Sequence, residues 1–343
     1  MSRAADDLAP AAELRREIGA QASAVEAVLR DAALGRYLDR FAAEVAASGE
    51  LLVTGMGASL HAGLVLAALL RGRGVRAWAL PASELLHYGE ATEVRPTLVI
   101  SQSGASVEVE RLLERRGGGL HGLTLDPASP LGRASAGVVP GGPERAYAAT
   151  RSFTTTLAAL LGLAHRLGVP VRLEQLAGSL AAVPAEPAGL SAAAGALARA
   201  GTVFVTGRGP LQALAEYVAL LMMELARLPC APLEAAQFRH GPREAAGQAL
   251  AVVALAAAGG TGGLVRRFAG EIHGAGSPTV LLDAGGAETA GDGPIVVRLA
   301  EADEIGALLP LAMAAQRLAV RLAQARGVTP GVPLRSEKVT REE

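Results

Sequence analysis

Residues 51–57, LLVTGMG, and residues 203–209, VFVTGRG, have the same pattern and decide the fold class of this chain. Each is a short apolar run that ends in Gly-x-Gly, and a helical pattern follows each one. Runs that are apolar throughout are typical of strands buried on both faces of a parallel sheet. The two stretches therefore predict two copies of a strand–turn–helix unit that begins an α/β domain.

The similarity between the two halves continues beyond these stretches at a nearly constant offset. The further matching pairs are TLVIS at 97–101 with LAVVAL at 250–255, HGLTLD at 121–126 with PTVLLD at 278–283, and AGVVP at 136–140 with PIVVRL at 294–299. Each half closes with a predicted amphipathic helix, at Phe153–Leu167 and at Leu308–Ala325. The pattern predicts a duplicated domain with a doubly wound parallel sheet in each copy.

The remaining segments give the predicted domain boundaries. Residues 171–192 contain two prolines and few large side chains, which favours a linker with at most a short helix, and the last residues have no helical period. The predicted segments are a helical region at 1–48, a first subdomain at 49–170, a linker at 171–192, a second subdomain at 193–328 and an extended tail at 329–343.

The composition excludes several classes of partner. The net charge is −1, from 32 basic and 33 acidic residues, so nucleic-acid binding is not expected. No stretch approaches 18 apolar residues without a charge or a Gly/Pro break, so no membrane partner is expected either. The first residues lack the basic-then-apolar pattern of a secretory signal, and we expect a cytoplasmic protein.

Neither a metal nor an organic cofactor is predicted. A single cysteine, Cys230, excludes an intramolecular disulfide and a multi-cysteine metal site, and no His/Asp/Glu cluster has metal-ligand spacing. The first Gly-x-Gly loop is not a dinucleotide fingerprint, because Leu60 occupies the place of the third glycine.

The loop after the strand TLVI has the composition of a phosphate site. Residues 101–106 read SQSGAS and precede the helical pattern VEVERLLERR. Free N–H groups and the helix dipole favour an anion at a helix N-terminus, and Ser101, Ser103 and Ser106 add hydroxyl donors. The alternative is a serine N-cap, which needs only one serine. The matching loop of the second half, AAAGGTGG, contains a single hydroxyl, so the first half is expected to hold the phosphate.

The second half offers groups for acid–base chemistry. Glu216 and Glu224 are spaced by eight on the helical pattern 211–226, so they lie roughly on one side. Burial among apolar residues would raise the pKa of Glu224 toward that of a base. The alternative is that Glu224 faces solvent or pairs with Arg227. His240 precedes Gly-Pro, which predicts a turn outside regular structure, and histidine is the natural proton carrier at neutral pH.

Lys338 is the single lysine of the chain, beside 31 arginines. Lysine and arginine are not equivalent where a compact, movable ammonium is needed. A solvated lysine in a terminal segment is the alternative interpretation.

Taken together, these motifs are similar to the double sugar-isomerase (SIS) domain family, which includes the isomerase half of glucosamine-6-phosphate synthase and glucosamine-6-phosphate deaminases. The resemblance extends over essentially the whole chain. It rests on Gly57-Ala58-Ser59, the SQSGAS loop, residues 144–155 (ERAYAATRSFTT), Gly207-Arg208-Gly209, Glu224, His240-Gly241-Pro242 and the SEKVT tail at 336–340. It implies two flavodoxin-like SIS subdomains.

The resemblance also implies roles for individual residues. Ser101, Gln102, Ser103 and Ser106 match the phosphate cradle, with Ser106 in place of the family's usual Thr. Ser59 and Ala149 match substrate-contact positions. Glu224 matches the base that moves a proton between C1 and C2 of the sugar. His240 matches the ring-opening histidine, which in this family comes from the neighbouring subunit of a homodimer, and Lys338 matches the tail lysine at the sugar.

The implied function is conversion of a phosphorylated amino sugar, with glucosamine 6-phosphate going to fructose 6-phosphate and ammonia through an enediol or enolamine. No glutaminase part precedes the first repeat, so we expect the catabolic direction. The alternatives are a ketose/aldose isomerase or deaminase of another sugar phosphate, and a sugar-phosphate sensor without turnover. Departures from the family at Leu221, Met223, Gln237 and Ala149 leave the sugar specificity open.

Overall fold

The chain consists of two compact units. The computed structural model describes residues 3–89, 95–116, 119–134, 137–286 and 292–341, without the side chains of residues 3–8. The first-repeat unit comprises Ala20–Ala177 and Pro333–Glu343, and the second-repeat unit comprises Met1–Gly19 and Gly178–Val332.

Helices and strands alternate within each repeat, as the sequence pattern predicts. The helices are α1 (Arg3–Gly19), α2 (Gln21–Arg30), α3 (Ala32–Ser48), α4 (Gly57–Arg71), α5 (Ala82–Tyr88), α6 (Val107–Arg116), α7 (Pro130–Ala134), α8 (Arg151–Arg166), α9 (Leu173–Ala181), α10 (Leu190–Ala198), α11 (Pro210–Ala226), α12 (Gly262–Gly274) and α13 (Leu308–Ala325). The strands are β1 (Glu50–Gly55), β2 (Arg76–Pro81), β3 (Thr97–Ile100), β4 (Leu120–Thr124), β5 (Gly137–Val138), β6 (Thr202–Thr206), β7 (Cys230–Pro232), β8 (Leu250–Ala257), β9 (Thr279–Ala284) and β10 (Ile295–Arg298).

Both sheets have five parallel strands in the same order. The first sheet runs β2-β1-β3-β4-β5, and the second, counted from its other edge, runs β7-β6-β8-β9-β10. This is the doubly wound order of flavodoxin-like domains, in which ligands bind at the carboxyl ends of the strands where the strand order reverses. The predicted fold class, two similar doubly wound parallel-sheet domains, is confirmed.

The core of each unit is formed by its sheet and the helices around it. All eight residues of β8 are buried, as a strand covered on both faces requires. The two closing helices, α8 and α13, are buried more completely than the predicted amphipathic pattern suggests. The reason is that α8 packs against α2, α3 and α4, while α13 packs against α10 and α11.

Each end of the chain belongs to the unit of the other repeat: the N-terminal helix to the second-repeat unit and the C-terminal tail to the first-repeat unit. The predicted helical region 1–48 is divided, because α1 belongs to the second-repeat unit, where it packs on α13, and α2 and α3 belong to the first. The tail Pro333–Glu343 belongs to the first-repeat unit. Within the predicted linker lies α9, and the unit boundary falls between Ala177 and Gly178.

Among the described residues, no helix is both long and apolar enough to cross a bilayer.

Candidate functional site

The SQSGAS loop, residues 101–106, lies between the carboxyl end of β3 and the first turn of α6. Ser101 is buried, and its hydroxyl accepts the Gly104 N–H at 3.0 Å. Ser103 Oγ accepts the Ala105 N–H at 3.4 Å, while the Gln102 carbonyl accepts the Leu125 N–H at 3.2 Å. These bonds fix the loop in a compact turn at the place where a doubly wound sheet binds its ligand.

Gly104 makes this turn possible. Its φ is +62°, and a Cβ placed there would lie 2.0 Å from the hydroxyl oxygen of Ser129. Only glycine accepts that conformation at no steric cost, and only glycine leaves room for Ser129 beneath the loop. The sequence thus places a residue without a side chain where the backbone must turn closely over α7 and the strand ends.

The turn leaves backbone donors available for an anion. The N–H groups of Gln102, Ser103 and Ser106 donate to no residue within the described part of the chain. Gln102 and Ser103 follow the carboxyl end of β3, and Ser106 directly precedes Val107, the first residue of α6. Such an arrangement suits a phosphate, since the dipole and the N–H groups act together.

The C-terminal tail lies against this loop within the same unit. The Thr340 carbonyl accepts the Val107 N–H at 3.2 Å, on the first residue of α6. The Lys338 ammonium donates to the Ala146 carbonyl, and Ser336 shares a hydrogen bond with the Tyr147 hydroxyl. Lys338 is two residues from Thr340, so its backbone lies within about 7 Å of that position along an extended chain.

Residues 144–155 contain a buried hydrogen-bond network that holds the start of α8. Glu144 is 3% exposed, and its carboxylate accepts the N–H groups of Thr150, Arg151 and Ser152 at distances of 2.9 to 3.1 Å. The hydroxyls of Thr150 and Ser152 also donate to it. A carboxylate at this helix N-terminus satisfies the first N–H groups of α8 and fixes the preceding segment, which contains the half-buried Ala149.

Ser59 lies in the first turn of α4, after the Gly-x-Gly turn that ends β1. Gly55 is required there because a Cβ would lie 2.6 Å from the Ile100 carbonyl oxygen on the neighbouring strand β3. Ser59 is half-buried, and its N–H donates to the Met56 carbonyl at 3.1 Å. Because β1 and β3 are adjacent in the sheet, Ser59 and the SQSGAS loop follow neighbouring strand ends.

The second-repeat unit carries Glu224 and His240. Glu216 and Glu224 both lie on the less buried face of α11, together with Gln212, Leu220 and Met223, so the spacing of eight does place them on one side. Glu224 is half-buried. Desolvation by burial raises the pKa of Glu216 above its ordinary value.

His240 is exposed at the end of a short 3₁₀ helix, Gln237–Arg239. The backbone N–H of His240 donates to the Gln237 carbonyl at 2.9 Å, and the next residue, Gly241, has a φ of +116°. The predicted turn at His240 is therefore observed. The helix is anchored by Phe238, which is fully buried against Phe204 and Phe268.

The loop of the second repeat that matches the SQSGAS loop is unsuited to a phosphate. Its hydroxyl, on Thr261, donates to the Glu304 carboxylate at 2.6 Å. Nearby, Asp283 at the end of β9 is buried in a two-point ion pair with Arg266 at 2.7 and 2.8 Å. The Asp283–Arg266 pair adds no net charge, but the Glu304 carboxylate would repel an anion from this loop, which supports the choice of the first repeat for the phosphate.

The SIS domain family model matches both repeats, over residues 44–166 and 196–325. The chain belongs to the SIS domain family. The two matched ranges are the sheets with their flanking helices, so each five-stranded sheet is one SIS repeat.

Relatives of this SIS protein differ in the reactions that their names describe. A Streptomyces coelicolor protein provisionally named D-galactosamine-6-phosphate deaminase AgaS is 33% identical over 89% of this chain and 86% of its own length. The C-terminal domain of glucosamine-fructose-6-phosphate aminotransferase from Francisella tularensis has a TM-score of 0.82 at 18% identity, covering 94% of this chain and 98% of its own. Tagatose-6-phosphate ketose/aldose isomerase from Escherichia coli has a TM-score of 0.77 at 20% identity, covering 94% and 97%.

Among the described residues of both SIS repeats, no group of three or more His, Cys, Asp or Glu side chains is arranged to hold a metal ion. Cys230 is half-buried, and burial raises the pKa of its thiol to about 12, which makes it a poor nucleophile at neutral pH.

Sequence reasoning missed several residues that shape the site. In the sequence, Glu144 and Arg151 stand out only as parts of a stretch, yet Glu144 holds the start of α8 and the buried Arg151 donates from its guanidinium to the Gly141 carbonyl at 3.2 Å. Ser129 lies beneath Gly104 and belongs to none of the motifs in the sequence. Its signal was weak, because a Ser-Pro pair before a short helix is a common N-terminal pattern.

Proposed function

We propose that this SIS protein converts a hexosamine 6-phosphate and water into a ketohexose 6-phosphate and ammonia. The observation that carries the proposal is the tail of the first-repeat unit. The Thr340 carbonyl accepts the first N–H of α6, and on the same tail the ammonium of Lys338, the single lysine of the chain, donates to the Ala146 carbonyl. A hydroxyl-rich loop and a tail lysine joined to it through Thr340 support a site for a phosphorylated sugar that undergoes proton transfer.

The phosphate serves to position the sugar. Free N–H groups and three serine hydroxyls supply neutral donors for a dianion without a permanent ion pair. Holding one end of the substrate lets the catalytic groups act on defined carbon atoms at the other end, which lowers the entropic part of the barrier.

The chemistry then needs two proton-transfer groups and one electrophilic group. We assign His240 to ring opening by proton transfer at the ring oxygen. Glu224 takes the proton from C2 to give an enolamine and returns it to C1, which leaves an imine at C2. Water hydrolyses that imine, so the C2–N bond breaks and ammonia leaves. The Lys338 ammonium stabilises negative charge that develops on the C1 oxygen.

The epimer of the amino sugar is the second part of the proposal. The family resemblance gives glucosamine 6-phosphate as the first candidate. The name of the Streptomyces coelicolor relative, which matches 89% of the chain, favours galactosamine 6-phosphate as the second. Both substrates undergo the same proton transfer, because they differ only in the configuration at C4.

We also propose that the protein is a homodimer in which each His240 serves the site of the partner. The exposure of His240 on a rigid turn supports this arrangement, since a group that serves a neighbouring subunit must be at the surface of its own.

The test is ammonia release from each hexosamine 6-phosphate, coupled to detection of fructose 6-phosphate or tagatose 6-phosphate. We expect equal amounts of ammonia and ketose from one epimer, and at most slow release from the other. Ketose formation from an aldose phosphate without ammonia would assign a plain isomerase. Thermal stabilisation by these sugars without any product would assign a sensor.

A further inference from the structure

A cavity of about 280 Å³ lies within the second-repeat unit, between α1, the N-terminus of α10 and the middle of α13. It is formed by residues of the second-repeat unit alone, whereas the SQSGAS loop and Lys338 belong to the first. This volume is far more than the roughly 30 Å³ share of one water molecule and approaches the lower limit of small-molecule sites.

The floor of the cavity is apolar. Ile18, Leu190 and Val320 line it, and each is at most 6% exposed as a residue. Aliphatic side chains of this kind cover a flat, apolar part of a ligand, because burying apolar surface is favourable wherever it occurs.

The rim of the cavity carries an excess of positive charge. Arg15, Arg317 and Arg321 line it, and Glu186 is the one carboxylate among its described lining residues. Arg321 donates to Glu186 from two nitrogens, at 2.6 and 2.9 Å, so this pair is mutually neutralised. Glu186 also attracts Arg317, but three guanidinium groups against one carboxylate leave the described cavity wall with a net positive charge.

Arg317 has unused hydrogen-bonding capacity in a partly dehydrated position. Its Nη1 donates to the Val183 carbonyl at 2.9 Å, and the described residues accept no other hydrogen bond from it. Burial lowers the pKa of its guanidinium, which indicates that water solvates the charge poorly there. A guanidinium has five N–H donors and binds phosphate or carboxylate through two of them at once.

We propose that this cavity is a binding site for a small organic anion, with its phosphate or carboxylate on Arg317 and Arg15 and an apolar ring on Ile18, Leu190 and Val320. A purely inorganic anion would leave the apolar floor unused, and a neutral ring would leave the net positive charge of the cavity wall uncompensated. The site is separate from the proposed sugar site and does not depend on the proposed reaction.

The probe is 1-naphthyl phosphate, titrated calorimetrically into the full-length chain, with 1-naphthol as its neutral analogue. We expect one site per chain and binding of naphthol at least about tenfold weaker, since a charge-assisted hydrogen bond contributes on the order of a tenfold change or more. Arg317→Gln and Arg15→Gln should each weaken the phosphate by about tenfold. Arg15 is exposed, so we expect Arg15→Gln to fold even if Arg317→Gln does not.

Two further variants serve as controls. Arg326 follows α13, is also half-buried and donates to the Ala226 and Ala198 carbonyls, but it does not line the cavity. Arg326→Gln should leave the affinity unchanged, and so should Ser103→Ala in the SQSGAS loop. The proposal is overturned if naphthyl phosphate does not bind, if Arg326→Gln weakens it as much as Arg317→Gln, or if Ser103→Ala abolishes binding while the arginine variants do not.

Discussion

At the scale of single residues, the same residue type has different uses in this chain because its surroundings differ. Glu144 is fully enclosed by N–H and hydroxyl donors and supports a helix, whereas Glu224 lies half-buried on the accessible face of α11. The buried Glu144 carboxylate cannot reach a substrate, so the half-buried Glu224 is the better candidate for the proposed base.

Glu224→Gln is expected to keep sugar-phosphate binding and to lose turnover by about 100-fold to 10,000-fold, because the amide cannot accept the C2 proton. Measurement of kcat together with a binding titration of the sugar phosphate separates the two effects. Glu110→Gln, at an exposed position of α6, is the matched control and should leave both values unchanged. Loss of binding in Glu224→Gln would instead assign Glu224 to substrate contact.

His61 is expected to make stability fall with acid. Burial lowers the pKa of this histidine from 6.5 to about 4, so the folded state holds it neutral. The unfolded chain binds the extra proton below pH 6.5, and stability is therefore complete above that value and is lost as the pH falls toward 4. His61→Gln should remove up to about 3 kcal/mol of this fall in the free energy of unfolding.

Urea titrations at pH 7, 5.5 and 4 measure how the free energy of unfolding of wild type and His61→Gln depends on pH, with His87→Gln at an exposed position of α5 as the control. An unchanged pH dependence in His61→Gln would show that other groups cause the acid sensitivity.

At the scale of the elements, the SQSGAS loop depends on the left-handed backbone conformation of Gly104 and on the space between this glycine and Ser129. Gly104 and Gly119 both have positive φ, at +62° and +95°, but only Gly104 has atoms of Ser129 where a Cβ would lie. This pair separates the effect of backbone strain from that of steric overlap.

Gly119→Ala is expected to cost about 1–2 kcal/mol from conformational strain alone. Gly104→Ala should cost about 1–3 kcal/mol more, because Ser129 must move, and it should abolish sugar-phosphate binding. Urea unfolding and a binding titration measure the two consequences. If both variants bind the sugar phosphate as well as wild type does, the loop is not the phosphate site.

At the scale of the whole molecule, the duplication permits specialisation of its two halves. Both repeats have the same strand order, but the loop after β3 is rich in hydroxyls and free N–H groups, while the matching loop after β8 meets Glu304. The proposed reaction uses one phosphate site, so the second repeat can supply different groups. Selection on the second copy can therefore act on Glu224 and His240.

The proposed homodimer predicts complementation between two inactive variants. His240→Ala and Glu224→Gln are mixed, unfolded and refolded together, and activity is assayed. If His240 acts on the partner's site, half of the dimers are hybrids with one intact site, so about a quarter of the wild-type activity returns. If each His240 acts within its own chain, every site has a defect and no activity returns. Light scattering of each variant alone confirms that dimers form.

The sequence by itself determined the fold class, because continuous apolar runs, Gly-x-Gly turns and their duplication are local patterns that report strand burial and turn geometry. It also identified the hydroxyl-rich loop, the turn at His240 and the common face of Glu216 and Glu224, since each depends on residues close together in the chain. The tertiary structure was needed to place α1 on the second-repeat unit, the Thr340 carbonyl on the first N–H of α6 and the Lys338 ammonium on the Ala146 carbonyl. It alone enclosed Glu144 and set Ser129 under Gly104. These features depend on contacts between segments that are far apart in sequence. A local sequence pattern does not predict the free energy of such contacts.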